Sequence, residues 1–199
     1  MSAANRLKEE QRRKEIMDSA AKVILKKGFE KTTMEEIIAG TTLSKGGVYH
    51  YYGSVIEIFK DIMLYGIEYR NTIIKDHLME SKKAVTEDFM AKEIVEKIID
   101  DNPYLTLYVE FLIAKKRNPE LNELMLKLEK ETKENFKLLL GDAPSWLFNE
   151  DTFKFITEFI NGMIFASDSL NARDNFKKNR KLLENMIALI FENTKDLEK

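Results

Sequence analysis

The sequence predicts an all-α protein, in which a small N-terminal helix-turn-helix domain precedes a larger body of helices, about nine helices in total. Apolar residues recur every three or four positions through most of the 199 residues, which is the spacing of one helix face. Only 3 Pro and 8 Gly interrupt the chain, so long helices are expected. Ser, Thr or Asn stands before most periodic segments, where it can cap a helix N-terminus.

Two helices are predicted before residue 40. The first spans about residues 8–27, with an apolar stripe at helical spacing, and Gly28 ends it. The second begins after Thr33, whose hydroxyl and Glu36 three residues later form the pattern of a capping box.

Two more helices complete the helix-turn-helix domain. Ser44 caps a short third helix, and Gly53 ends it. Ser54 and Glu57 repeat the capping-box pattern and start a long fourth helix, which is predicted to reach about Met79. Short helices in this order, with a turn of three or four residues before the third, form a helix-turn-helix unit.

Five further helices are predicted beyond this domain. Two of them start at an Asn-Pro pair, where Asn caps the helix and Pro occupies its first position. The predicted helices start near residues 86, 103, 119, 151 and 174, and the last three end near residues 140, 170 and 193.

The last two predicted helices have wide apolar stripes that contain small residues. The stripes alone fit either the core of one chain or an interface across a two-fold axis. The helix-turn-helix unit favours a homodimer, because one such unit reads too few bases for useful specificity. The predicted interface consists of Phe155, Phe159, Gly162, Ala166, Leu183, Met186, Ile187 and Ile190.

Composition and charge narrow the class of protein. The chain has no cysteine, which excludes disulfides, thiolate zinc sites and cysteine nucleophiles. Neither a signal peptide nor a segment long enough to span a membrane is present, so we expect a cytoplasmic protein without a membrane partner. Residues 1–60 carry 11 Lys and Arg against 8 Asp and Glu, and the rest carry 21 against 26. A basic N-terminal module on an acidic body suits contact with a polyanion.

The third predicted helix has an unusual surface. Its leading face has almost no side-chain bulk because two glycines lie there, with a lysine beside them and three aromatic side chains one turn later. Such a face fits a flat, polar and anionic surface, and a DNA major groove has these properties. The residues concerned are Lys45, Gly46, Gly47, Tyr49, His50 and Tyr51.

The stretch from Arg13 to Phe59 resembles the DNA-binding domain of TetR-type transcriptional regulators. The resemblance depends most on the run Ser-Lys-Gly-x-x-Tyr-His-Tyr-aromatic at residues 44–52. It implies a DNA-binding domain at residues 10–70 and a helical ligand-binding and dimerisation domain at residues 71–199. The other matching residues are Ile16, Ala20, Gly28, Thr32, Thr33, Ile37, Ser54 and Phe59.

The resemblance also implies roles for individual residues. Thr33 would bind a phosphate through its hydroxyl and its backbone N–H. The start of the third helix would lie deepest in the major groove, where Lys45 could reach a guanine or a phosphate. Tyr52 would turn into the core of the small domain. The DNA-binding residues are predicted to be Thr33, Thr42, Ser44, Lys45, Gly46, Gly47, Tyr49, His50 and Tyr51.

Three positions depart from the family pattern. Thr42 stands in the turn where family members usually have Gly, so it must avoid the left-handed conformation or adopt it with strain. Val55, which follows Ser54, replaces a Lys that many members have at the start of the fourth helix, and Gly53 is also unusual at its position. We therefore expect fewer ionic contacts with DNA and a shallower dependence of binding on salt.

The function implied by the resemblance is that of a homodimeric repressor, which a small-molecule effector releases from a pseudo-palindromic double-stranded DNA operator. Aromatic and Met side chains in the body favour an apolar or aromatic effector, although the same spacing is common in a plain core. No cofactor is expected. The predicted ligand-binding residues are Phe89, Tyr104, Tyr108, Phe111, Met125, Phe159 and Met163.

Two other classes of function are weaker. An enzyme with a carboxylate-bridged di-metal centre needs Glu-x-x-His pairs on two helices, but Gly47 and Ile74 occupy the Glu positions before His50 and His77. We therefore predict no catalytic residue and no metal. A helical adaptor for another protein would still bind its partner after alanine substitution of Lys45 and Tyr49.

Overall fold

The structure is a computed structural model that describes residues 3–81, 85–141 and 148–194. Within these ranges it consists of ten α-helices and one 3-10 helix without a strand, so the predicted all-α class is confirmed. The elements are α1 Ala3–Lys27, η1 Phe29–Lys31, α2 Met34–Ala39, α3 Lys45–Tyr51, α4 Val55–Ser81, α5 Glu87–Ile99, α6 Pro103–Ala114, α7 Pro119–Leu139, α8 Glu150–Ser169, α9 Arg173–Lys178 and α10 Arg180–Thr194.

The predicted starts of α2, α3, α6 and α7 are confirmed by capping hydrogen bonds. The Thr33 hydroxyl accepts from the backbone N–H of Glu36 at 3.4 Å, and the Thr33 N–H donates to the Glu36 carboxylate at 3.2 Å, which completes the capping box. The Ser44 hydroxyl accepts from the N–H of Gly47 at 3.2 Å. Asn102 and Asn118 accept backbone N–H groups of the first turns of α6 and α7 in the same way.

Three features of the helices differ from the prediction. Helix α1 begins at Ala3, before the start predicted near residue 8. The 3-10 helix η1 after Gly28 was not expected, and the predicted ninth helix is divided into α9 and α10 at Asn179. The backbone N–H of Asn179 donates to the carbonyl of Asn175 at 3.1 Å, and its side-chain amide donates to the same carbonyl at 2.9 Å. Asn offers the backbone such local alternatives to the helical ladder, so this segment forms two helices.

The chain folds as two compact units. Met1–Glu68 groups with Thr106–Leu126, and Tyr69–Leu105 groups with Lys127–Lys199. We call these the N-terminal unit and the C-terminal unit. The boundary predicted at residue 70 between a DNA-binding and a ligand-binding domain stays a prediction.

Three aromatic rings form the centre of the N-terminal unit. Phe59 and Phe111 are fully buried. The ring of Phe59 stacks on Phe29 at 4.9 Å between centroids and meets the edge of Phe111 at 5.8 Å. Aromatic pairs of this geometry add to the gain from apolar burial, so residues of α6 contribute directly to the core beneath the helix-turn-helix.

A hydrogen bond from η1 adds a second link to α6. The backbone N–H of Phe29 donates to the Glu110 carboxylate at 2.7 Å. Gly28, just before it, has φ +84°, and a Cβ at this position would lie 3.1 Å from the same carboxylate. A side chain at residue 28 would therefore be strained in its backbone and crowded against Glu110.

Helix α5 organises the C-terminal unit by packing against α8, α9 and α10. In the same unit, the Arg70 guanidinium donates to the Glu93 carboxylate at 2.8 Å, and His77 Nδ1 lies 2.6 Å from the other oxygen of Glu93. Burial lowers the pKa of Arg70, although the charge of Glu93 opposes this effect.

None of the described helices combines the length and the apolar character that crossing a bilayer requires.

Candidate nucleic-acid interface

Helix α3 is anchored from one side only. Val48 is fully buried and holds the helix to the core of the N-terminal unit. Lys45, Gly46 and His50 are exposed, and 42% of Tyr49 is exposed. The helix therefore presents most of its predicted DNA-binding residues to solvent.

Gly46 leaves the leading face of α3 open. A Cβ built at Gly46 would meet no atom within 4 Å, whereas one at Gly47 would make ordinary contacts with Ser44 and Leu43 at 3.4–3.5 Å. Packing within the chain therefore does not require glycine at position 46. A bare surface at this point fits the close approach of another molecule.

The positive charge of α3 is only weakly engaged within the chain. Lys45 Nζ lies 4.0 Å from Glu35 on α2, and both side chains are about 70% exposed. An exposed pair at this distance contributes little to stability. Lys45 can therefore exchange this carboxylate for a phosphate or a guanine at little cost.

Tyr52 is buried, unlike the other aromatic residues of the motif, as predicted. It is only 3% exposed, its hydroxyl donates to Asp61 at 2.9 Å, and the Arg13 guanidinium lies 5.2 Å from its ring centroid. Burial raises the pKa of Tyr52 to about 12, and the carboxylate of Asp61 acts in the same direction. Tyr52 therefore belongs to the core of the unit.

We expect Tyr52→Phe to destabilise the fold by about 1 kcal/mol at neutral pH, because one buried hydrogen bond is lost. The pKa of Tyr52 is higher in the folded than in the unfolded chain, so wild-type stability falls between pH 10 and 12 as the unfolded chain ionises first. Urea unfolding at several pH values should show that the difference in free energy of unfolding between wild type and variant shrinks over this range. A difference in free energy of unfolding that is constant with pH would contradict the raised pKa of Tyr52 in the folded chain.

Thr33 and its neighbours form a charged cluster at the start of α2. The Thr33 hydroxyl lies 2.9 Å from the Glu36 carboxylate, which Lys27 Nζ also reaches at 2.5 Å. The hydrogen bond from Lys27, followed by that from Thr33, lowers the pKa of Glu36. To bind a phosphate through its hydroxyl, Thr33 would have to exchange this carboxylate for the ligand.

Thr42 is joined to α1 by contacts that the sequence does not indicate. Its backbone N–H donates to Glu15 at 2.5 Å, and its hydroxyl accepts from Arg12 at 3.1 Å. Among the described residues other than glycine, only Asn171 has a positive φ, so Thr42 avoids the left-handed conformation. The spacing of Arg12 and Glu15 on α1 indicates a side-chain pair, but no local pattern relates this pair to residue 42.

The predicted ligand-binding residues divide between the two units. Phe111 and Met125 are buried in the N-terminal unit, where Tyr108 lies 6.4 Å from Phe111 between ring centroids. The C-terminal unit contains the other four, which are half-buried. A groove of about 310 Å³ in the N-terminal unit has none of the seven in its lining. Their role as an effector site stays a prediction. The four residues are Phe89, Tyr104, Phe159 and Met163.

The predicted dimer residues have different positions in the single chain. Leu183 and Ile187 are buried within the C-terminal unit, because this side of α10 faces its core. Phe155, Gly162 and Met186 are exposed, whereas Phe159, Ala166 and Ile190 are half-buried. Three further apolar side chains of α8 and α10 are exposed but were not predicted. These are Phe165, Leu182 and Leu189.

Helices α2 and α3, joined by the short turn at residues 40–44, form a helix-turn-helix unit with α3 exposed. Residues 16–62 match the profile of the family described as bacterial regulatory proteins, tetR family. The N-terminal part of the chain is therefore a DNA-binding domain of the tetR type.

Comparison with curated proteins finds relatives in two bacteria. The chain is 31% identical over 133 residues to the uncharacterized HTH-type transcriptional regulator YfiR of Bacillus subtilis (strain 168), covering 66% of this chain and 64% of that protein. It is 25% identical over 96 residues to IcaR of Staphylococcus aureus, the HTH-type negative transcriptional regulator of the biofilm operon icaADBC, covering 48% of this chain and 50% of IcaR. The aligned regions thus span less than two thirds of either relative.

Comparison with solved structures supports the fold over nearly the whole chain. Salmonella enterica GusR superposes with a TM-score of 0.71, covering 92% of this chain and 96% of GusR. The sequence identity is 18%, so this likeness concerns the fold alone.

Proposed function

We propose that this chain is a DNA-binding transcriptional repressor that binds its operator as a homodimer. The observation that carries the proposal is the surface of α3, where Gly46 is open and Lys45 and Tyr49 are exposed, while Val48 is buried and holds the helix to the core. The recognition helix of a helix-turn-helix protein enters the major groove with its N-terminal residues against the base edges. The likeness to IcaR, a negative regulator, supports repression.

The exposed apolar face of the C-terminal unit supports the homodimer. Leu182, Met186 and Leu189 on α10 follow the spacing of one helix face, and all three are exposed in the single chain. Phe155 and Phe165 on α8 are exposed as well. Packing of these faces around a two-fold axis would form a four-helix interface. Two recognition helices about 34–36 Å apart would then meet successive major grooves.

A small apolar or aromatic effector would act through α4 in this proposal. Residues 55–68 of α4 belong to the N-terminal unit and residues 69–81 belong to the C-terminal unit. A displacement of the second half therefore reaches the first half through a continuous helix. The effector would lower DNA affinity only by its differential affinity for the DNA-binding and released states.

In vitro selection from a pool of random DNA duplexes tests this function and yields the operator sequence at the same time. We expect the enriched sequences to be pseudo-palindromic, with half-sites about 10 base pairs apart, and sedimentation should show two chains per duplex. Replacing Lys45 and Tyr49 together with alanine should reduce affinity for the selected duplex about 100-fold. The matched control is alanine at the exposed Lys178 and Leu138, where wild-type affinity is expected. A folded wild-type chain that enriches no sequence would contradict the proposal.

A further inference from the structure

Arg12 on α1 reaches the turn of the helix-turn-helix. Its Nη1 donates to the Thr42 hydroxyl at 3.1 Å and to the Glu15 carboxylate at 2.9 Å. The other oxygen of Glu15 accepts the backbone N–H of Thr42 at 2.5 Å. The three residues form a closed cycle of hydrogen bonds, so the guanidinium is fixed relative to the turn.

Most of the donor capacity of Arg12 remains available. The bonds to Thr42 and Glu15 both use Nη1, and the side chain is 46% exposed. Nε and Nη2 donate to no atom in the part of the chain that the structure describes. A guanidinium with one edge held and another edge free matches the planar, bidentate geometry by which arginine binds phosphate.

The adjacent Arg13 is engaged within the chain instead. Its guanidinium lies 3.5 Å from both Glu9 and Asp61, and 5.8 Å and 5.2 Å from the ring centroids of Tyr51 and Tyr52. Two neighbouring arginines therefore have different surroundings. Arg13 stabilises the N-terminal unit, and Arg12 is positioned at its surface.

Thr42 places this surface arginine next to the recognition helix. It lies two residues before Ser44, the cap of α3, and the proposed function puts the start of α3 against DNA. A phosphate of the same groove wall would be within the expected reach of a side chain bonded to this turn. Glycine, usual at this position in the family that the motif resembles, has no side-chain acceptor for Arg12.

From this geometry we infer that Arg12 binds a DNA backbone phosphate and that Glu15 and Thr42 are its positioning residues. The inference rests on the proposed DNA-binding function and adds a contact from α1 to those of α2 and α3. The Glu15 carboxylate, which accepts hydrogen bonds from Arg12 and from Thr42, orients the guanidinium and offsets part of its charge. The Thr42 hydroxyl accepts from Arg12 within the chain and so positions it. The family resemblance had implied that Thr42 itself contacts DNA.

The salt dependence of binding tests the phosphate contact. Each phosphate neutralised contributes about 0.9 to the slope of log affinity against log salt. In a dimer, Arg12→Gln removes two such contacts, so the slope should fall by about 2 and affinity for the selected duplex should fall about tenfold at 0.1 M salt. Arg12→Lys should keep most of the slope.

The matched control is Arg117→Gln. Arg117 is also an exposed arginine of the N-terminal unit, and it pairs with the Glu30 carboxylate at 3.3 Å. This variant should keep the wild-type slope and affinity. Thermal unfolding of each variant verifies that the fold is intact. An unchanged slope for Arg12→Gln would overturn the phosphate assignment. A wild-type chain without affinity for any duplex would instead refute the proposed function.

A double-mutant cycle tests the positioning role. Thr42→Val removes the hydroxyl acceptor but keeps the charge and shape of the residue, and should weaken binding about threefold to fivefold. In the Arg12→Gln background the same substitution should change affinity by less than about twofold, because its effect passes through Arg12. Equal effects in the two backgrounds would show that Thr42 acts independently of Arg12, and would overturn this part of the inference.

Discussion

Gly46→Gln is expected to weaken binding of the selected duplex at least about 100-fold, toward the level of non-specific binding. The side chain would project from the leading face of α3 into the space that DNA occupies in the proposed complex. Within the free chain, a Cβ at Gly46 meets nothing within 4 Å, and glutamine forms helices better than glycine. The variant should therefore gain about 0.5 kcal/mol of folding free energy.

The opposite signs of these two effects make the experiment decisive. Urea unfolding measures the gain in stability, and fluorescence anisotropy with a labelled duplex measures the loss of affinity. Gly141→Gln is the control, because Gly141 also has open space around its Cβ and a negative φ, but follows α7. It should bind like wild type. Wild-type affinity in Gly46→Gln would show that α3 does not approach DNA by this face.

Leu182→Glu combined with Met186→Glu is expected to convert the protein to monomers and to lower its affinity for the operator about 100-fold or more. The two side chains are 58% and 46% exposed in the single chain, so the folded monomer should tolerate the change. In the proposed interface, four carboxylates per dimer would be buried without partners, at a cost of several kcal/mol. Loss of the second recognition helix removes the gain from simultaneous binding at two half-sites, which is typically about 10²–10⁴-fold.

Analytical ultracentrifugation over a range of protein concentrations measures the first effect, and the anisotropy assay measures the second. Leu138→Glu is a suitable control, since Leu138 is an exposed leucine on α7 outside this face. It should remain dimeric and bind normally. A double variant that still sediments as a dimer would place the interface elsewhere on the chain.

Features that depend on a few neighbouring residues could be predicted from the sequence. Thr33 with Glu36, and Ser44 with Gly47, form the expected caps because side chain and backbone N–H are only three residues apart. The inward position of Tyr52 was also predicted, as an implication of the family resemblance.

Features that depend on tertiary contacts could not be predicted in this way. A wide apolar stripe on α10 does not reveal which half faces the core, so buried Ile187 and exposed Met186 were assigned to the same surface. The link between Arg12 and Thr42 joins residues 30 positions apart, and their types alone do not indicate it. Asn179 is compatible with a continuous helix as a residue type. Only the structure shows that its side-chain amide donates to the backbone of the preceding turn.

The contacts that α6 makes with η1 and α4 have a consequence for engineering. A hybrid in which residues 1–68 are transplanted onto a foreign body would leave Phe59 without the ring of Phe111, and the Phe29 N–H without the carboxylate of Glu110. Such a graft would expose apolar surface and an unpaired donor at its seam. Specificity is therefore better exchanged by altering the few outward residues of α3 than by swapping the whole amino-terminal segment.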